Sequence, residues 1–238
     1  MSARITLGGD FTIARNAVPP PRSGRMCFVA TSLWTTNSTY AYPGFDHTAN
    51  SVAGNTDFLA ALMVWLTGKA TGASVLICGP LNSGAFGSAF RAALAGLGHS
   101  STLTGAASSF NGYDPLDFDC VCVADTYNPP DAFGVAFDAY IDARGAALTF
   151  CMTSGHIAPR YGVKPRSSSP FYQTSPPDVR YLGAPDYLMT YPVLFDGATH
   201  YVTQWWAFLI EVVAGSRGGT MTLHNNMYGE PGIATWEA

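Results

Sequence analysis

Between Asp117 and His156 the apolar positions change period twice, and that change sets the frame for the rest of the chain. Phe118 to Ala124 is an apolar run of strand length, interrupted only by Asp119, as expected of a strand buried on both faces. Phe133, Phe137, Tyr140 and Ile141 then recur at helical spacing. Asn128 is a suitable cap for that helix, Pro129 suits its first turn, and Asp131 suits its positive end. Gly145 predicts the helix stop, and Ala146 to Met152 predicts a second buried strand. Strand, helix and strand within this length imply parallel pairing through a right-handed crossover. The chain is built on βαβ units.

The same patterns continue on either side. Met26 to Leu33 predicts a first buried strand, followed by a loop rich in Thr, Asn and Tyr. Phe58, Leu59, Leu62, Met63 and Leu66 form one helical stripe, capped by Asn55 or Thr56 and closed at Gly68. Ser74 to Gly79 predicts a second strand, and a helix through Phe86, Phe90, Leu94 and Leu97 ends at Gly98. Ser101 to Thr104 predicts a short edge strand. Pro159, Pro165, Pro170, Pro176 and Pro177 then break the pattern and predict a long Pro/Ser-rich loop over 158–185. Tyr187 to Phe195 predicts a strand, and Trp205, Trp206, Leu209, Val212 and Val213 predict a helix from about Thr203 to Gly215. Thr220 to His224 predicts the last strand, ahead of a short tail.

At the other end, Arg4 to Arg15 has two alternating segments around Gly8-Gly9-Asp10, a β-hairpin signal. Pro19-Pro20-Pro21 makes the following connector stiff and extended. Residues 1–24 therefore divide from residues 25–238 as an arm from an α/β domain. The arm either docks on a neighbouring subunit or adds an edge hairpin to its own domain.

Composition narrows the functional classes. At 238 residues and 47% hydrophobic, the chain can bury a large core. Only 12% of residues are charged and only Lys69 and Lys164 are lysines, which suits a subunit covered by neighbours. The net charge of −4 argues against general nucleic-acid binding. No apolar run reaches the roughly 20 residues of a membrane span, and the N-terminus lacks a signal-peptide core. The expected location is the cytoplasm, or a particle assembled there, and the expected partners are other protein subunits. Cys27, Cys78, Cys120, Cys122 and Cys151 all fall in or at the end of predicted strands. Cys120 and Cys122 share one strand face, and no Cys/His spacing matches a zinc site. Buried reduced thiols, no metal and no cofactor are the expectation.

The candidate ligand residues follow strand ends. Gly79, Asn82, Ser83 and Gly84 lie in a strand-to-helix loop where a helix N-terminus can receive an anion, although the loop lacks the P-loop and dinucleotide signatures. Asp46, His47 and Asp125 also follow strand ends and share that sheet edge. Tight turns and helix caps use the same residue types.

The VCVA strand, the PPDAFGVAFDAYIDARGAAL helix and strand, and the NTDFLAALMVWLTG helix resemble the class I glutamine amidotransferase-like superfamily, particularly its trehalose-utilisation-like branch. The resemblance covers roughly residues 26–155 and implies a flavodoxin-like, three-layer α/β sandwich with a mostly parallel central sheet. It also implies a nucleophilic cysteine on a strand-to-helix elbow, and Cys151 occupies that strand end. Thr149 and Thr153 replace the flanking glycines, and Asn226 stands where an acid would follow His224. The leading expectation is a non-catalytic amidotransferase-like domain acting as a structural or assembly subunit, plausibly of a virion or other multi-subunit particle. The alternatives are a cysteine hydrolase using Cys151 with His224 or His156, and a module that binds a small ligand.

Overall fold

The computed structural model describes residues 24–29, 59–78, 85–104, 110–123, 131–150, 157–165, 178–179, 202–203, 210–225 and 231–238. In chain order these form β1 (Arg25–Val29), α1 (59–67), β2 (Ser74–Cys78), α2 (Ala85–Gly96), β3 (Ser100–Leu103), β4 (Cys120–Val123) and α3 (Asp131–Asp142). There follow β5 (Ala146–Phe150), β6 (Val163–Pro165), β7 (Asp178–Val179), β8 (Val202–Thr203), β9 (Ile210–Val212), β10 (Thr220–Asn225) and β11 (Pro231–Glu237). Short 3-10 turns occupy Pro115–Asp117 and Ala158–Tyr161.

Seven strands share one sheet in the order β10-β11-β1-β5-β4-β2-β3. The five from β1 to β3 run parallel, and β11 and β10 add an antiparallel pair beside β1. The four strands expected to be neighbours in a parallel sheet, β1, β5, β4 and β2, are contiguous. Their apolar runs follow from burial on both faces. Cys27, Val29, Val75, Ile77, Cys120, Cys122 and Leu148 pack with Leu59, Leu62 and Leu66 of α1 and with Phe90 and Leu94 of α2. The alternate residues Met26, Phe28, Leu76, Cys78, Val121 and Ala147 pack with Phe133, Phe137, Tyr140 and Ile141 of α3. The pleat thus sorts one continuous apolar run onto two helix-covered faces.

The end of α3 shows how sequence and packing combine. Arg144 N–H donates to the Ile141 carbonyl (2.9 Å) and Gly145 N–H to the Tyr140 carbonyl (3.0 Å), the paired bonds of a Schellman stop. The left-handed residue is Arg144, at φ 68°, rather than the glycine. Gly145 is required for a different reason: a Cβ there would lie 2.5 Å from the Tyr140 ring. That ring has to sit there because its hydroxyl donates to the Ala146 carbonyl (2.8 Å) and accepts from Ala146 N–H (3.1 Å).

Three sequence expectations need correction. Ile210–Val212 is a strand, paired antiparallel with Val163–Pro165, where a helix to Gly215 was expected. The apolar run from Trp205 to Val213 is interrupted only by Glu211, too little contrast to fix a period, and its β-branched end favours the extended form. The expected loop over 158–185 contains a 3-10 turn, β6 and β7. The expected tail is β11, whose Trp236 is only 2% exposed and packs edge-on against Tyr161 at 4.9 Å between ring centroids.

A buried ionic network secures this second region to the helix layer. Asp138 on α3 is 6% exposed. It accepts from Arg160 Nε (2.8 Å) and Nη2, and from the Tyr161 hydroxyl (2.8 Å), with Arg217 at 3.4 Å. Arg217 also pairs with Asp142 and lies over the Tyr161 ring, so residues 157–165 and 213–219 are held against α3 together.

Candidate functional site

The order of the parallel strands defines a switch point. From β2 the chain passes through α2 to β3 on one side, whereas from β4 it passes through α3 to β5 on the other side. α2 and α3 cover opposite faces of the sheet. Connections of one hand that leave in opposite directions diverge between β2 and β4, and open α/β sheets bind ligands in the crevice at that point. The two strands end in register, Cys78 beside Val123. Gly79 follows one strand end directly and Asp125 follows the other by two residues.

Gly79, Asn82, Ser83, Gly84, Asp46, His47, Asp125, Cys151 and His156 lie outside the described residues. For His224 the backbone is described. It pairs with Ile233 on β11, in the row that continues through Val29 to Phe150 on β5. Three strand spacings separate β10 from β5, on the order of 14 Å.

The cysteines of the sheet are core residues. Cys27, Cys78, Cys120 and Cys122 are free thiols with no exposure. Burial pushes the Cys78 thiol up to about 12, and it raises those of Cys27 and Cys122 strongly, with neighbouring thiols adding to the effect. All four are fully buried and are packing groups. Among the described residues no cluster of three or more His, Cys, Asp and Glu has the arrangement of a metal site.

A groove of about 380 Å³ lies at the opposite, amino-terminal edge of the sheet, lined by Leu116, Phe118, Asp119, Tyr140, Ala143, Arg144, Gly145 and Ala146. Asp119 ties the amino ends of β2 and β4 together. Its Oδ2 accepts from Ser74 N–H (3.0 Å), the Ser74 hydroxyl (3.2 Å) and Lys69 Nζ (2.7 Å). Leu116 is 56% exposed and Tyr113, which meets Phe118 edge-on, is 42% exposed. Arg144 is exposed on the opposite lip.

Sequence reasoning did not anticipate this groove. Its walls come from a 3-10 turn that was not read, a helix stop and a strand start that were, and their convergence depends on the strand order. His99 was also missed. Its Nδ1 accepts from Ala73 N–H (3.2 Å), and burial lowers its pKa despite the opposing influence of Asp119. Among the described residues no helix is long and apolar enough to cross a membrane. No family model matches the chain, and neither the curated proteins nor the solved structures include a match to it.

Proposed function

We propose that this chain is a non-catalytic, amidotransferase-like α/β domain that serves as a structural or assembly subunit, with other protein subunits as its partners. The observation that carries this reading is the composition of the two sheet edges. Among the described residues β3 and β10 end the seven-stranded sheet, and neither Ser100–Leu103 nor Thr220–Asn225 contains Lys, Arg, Asp, Glu or Pro. Soluble monomers usually guard strand edges with such residues. Two uncharged edges, with Leu223 and Val212 exposed nearby, suit a chain whose edges face neighbours. The 12% share of charged residues points the same way. A multi-subunit particle such as a virion is one setting in which such a subunit works.

The flavodoxin-like, three-layer form of the fold belongs to this proposal. The order β3-β2-β4-β5 repeats the flavodoxin-like order 2-1-3-4, and β1 stands at the fifth position, entered from the N-terminal side. The separation of His224 from β5 favours the non-catalytic reading, because roughly 14 Å exceeds the combined reach of an imidazole and a thiol. The switch point between β2 and β4 favours a second role, the holding of a small ligand at the carboxyl edge.

Sedimentation velocity of the full chain over a hundredfold concentration range tests the assembly reading. A discrete species larger than one chain is expected. A single-chain sedimentation coefficient throughout, in the absence of any other subunit, rules out self-assembly.

A further inference from the structure

We infer that β10 is the edge through which this chain self-associates, pairing antiparallel with β10 of a second copy about a two-fold axis and joining the two sheets into one. The inference rests on the assembly reading and deepens it by naming the partner and the strand.

Among the described residues the sheet ends at β3 and at β10, and the two edges are not equivalent. β3 carries no charge of its own, but α2 lays one against it: Arg91 Nε donates to the Ser101 hydroxyl (3.3 Å). A charged side chain beside an edge strand opposes the approach of another strand. β3 is also only four residues long and runs parallel to β2. β10 has six residues, runs antiparallel to β11, and leaves Thr220, Thr222 and Leu223 exposed. A strand that meets its own copy across a two-fold axis normal to the sheet is necessarily antiparallel to it. The second copy therefore continues the alternation that β1, β11 and β10 have already set.

The regular part of β10 sets the register. Its pairing with β11 is unbroken from Thr220 to His224 and shifts between His224 and Asn225, so the regular stretch is centred on Thr222. With the axis at that point, Thr222 meets the partner's Thr222, Met221 meets the partner's Leu223, and Thr220 meets the partner's His224. The residue types suit this match. Met221 stands beside Trp236 and packs against the apolar cluster on the α3 side of the sheet. Leu223 lies on the same face two residues on, yet it is 37% exposed, because no described strand lies outside it. Across the axis each Leu223 gains a Met221, so the apolar surface that stops at the edge continues into the second copy. The two Thr222 residues meet on the other face, and no like charges are opposed. Each copy covers the other's β10, and Arg91 guards the β3 edges that remain, so the assembly closes at two chains. The pairing uses no part of residues 1–23.

The experiment uses full-length chains. Thr222 is exposed, so Thr222→Lys and Thr222→Glu retain the fold, which melting curves check. Either variant alone sets like charges against each other at the axis, and its dimer dissociation constant, from sedimentation equilibrium, is expected to rise about tenfold or more. An equimolar mixture of the two variants is expected to recover tight association, because the facing charges are then opposite in sign. Hydrogen exchange of the unaltered chain, read below and above its dissociation constant, needs no substitution. Peptides covering 220–224 are expected to gain protection on association, and those covering 100–103 to show no change. Variants that associate as tightly as the unaltered chain, a mixture no tighter than either variant alone, or protection gained at 100–103 and not at 220–224 each overturn the inference while leaving the assembly reading standing. A full chain that never associates overturns both.

Discussion

Replacing Asp138 by Asn removes the charge at the centre of the network that holds residues 157–165 and 213–219 to α3. The carboxylate side chain is 9% exposed and takes two bonds from Arg160, one from the Tyr161 hydroxyl and an ion pair with Arg217. Breaking a buried, hydrogen-bonded ion pair typically costs about 3–5 kcal/mol. Here the Arg160 side chain is 35% exposed and regains water when released, which lowers the figure. Asn keeps an acceptor for Tyr161 but turns an N–H group toward a guanidinium. The expected cost is about 2–3 kcal/mol, or roughly 5–10 °C in melting temperature for a chain of this size. Urea denaturation followed by circular dichroism measures it. Tyr161→Phe alone is expected to cost about 1 kcal/mol, and the double variant to cost less than the sum, because both changes act on one network. A loss below about 0.5 kcal/mol for Asp138→Asn would refute the claim that this network anchors the second region.

Three further outcomes follow from particular residues. Native protein at pH 7.5 should show at most one rapidly alkylated thiol, because Cys27, Cys78, Cys120 and Cys122 have no exposure; any fast reaction then maps to Cys151, and a second fast thiol contradicts the packing of the sheet. Burial favours neutral His99 in the folded state, so below about pH 6.5 the unfolded chain binds the extra proton and stability falls; the fall should be shallower in His99→Asn, which keeps an acceptor for Ala73 N–H. An equal slope in both proteins removes His99 as the cause. Gly145→Ala places a Cβ 2.5 Å from the Tyr140 ring and should cost about 1–3 kcal/mol in urea melts, partly recovered by Tyr140→Leu; a neutral Gly145→Ala contradicts the stated reason for the glycine.

The parallel core was legible because its signals are local. Cys120–Val123 is an unbroken apolar strand, Ala146–Phe150 is apolar but for Thr149, and Phe133, Phe137, Tyr140 and Ile141 repeat at helical spacing between them. β11 was not legible, because Pro231-Gly232 reads as a turn and, although β10 is near in sequence, its other partner, β1, lies about 200 residues earlier. A separation of about 120 residues likewise hides the insertion of β1 beside β5, which no local pattern encodes. β9 was misread because a single polar residue, Glu211, in an otherwise apolar run fixes no period. The candidate residues at the carboxyl edge were chosen for following strand ends, and the register of Cys78 with Val123 puts two of those ends side by side. The groove escaped notice because Asp119, a polar break within an apolar strand, gains its meaning only from Ser74 and Lys69 across the sheet.

The most direct test is the mass in solution of residues 1–238 beside that of residues 24–238, each by sedimentation equilibrium and each with a melting curve. The shorter chain keeps Gly24, whose carbonyl accepts from Ala238 N–H, and every described strand of the sheet, so its melting temperature should match that of the full chain within a few degrees. The full chain should have the mass of a closed multiple of one chain, and the shorter chain should fall to a single-chain mass or to a weaker equilibrium. Equal masses for the two, with both folded, would contradict the role of the arm. A single-chain mass for the full chain at every concentration would contradict self-assembly itself.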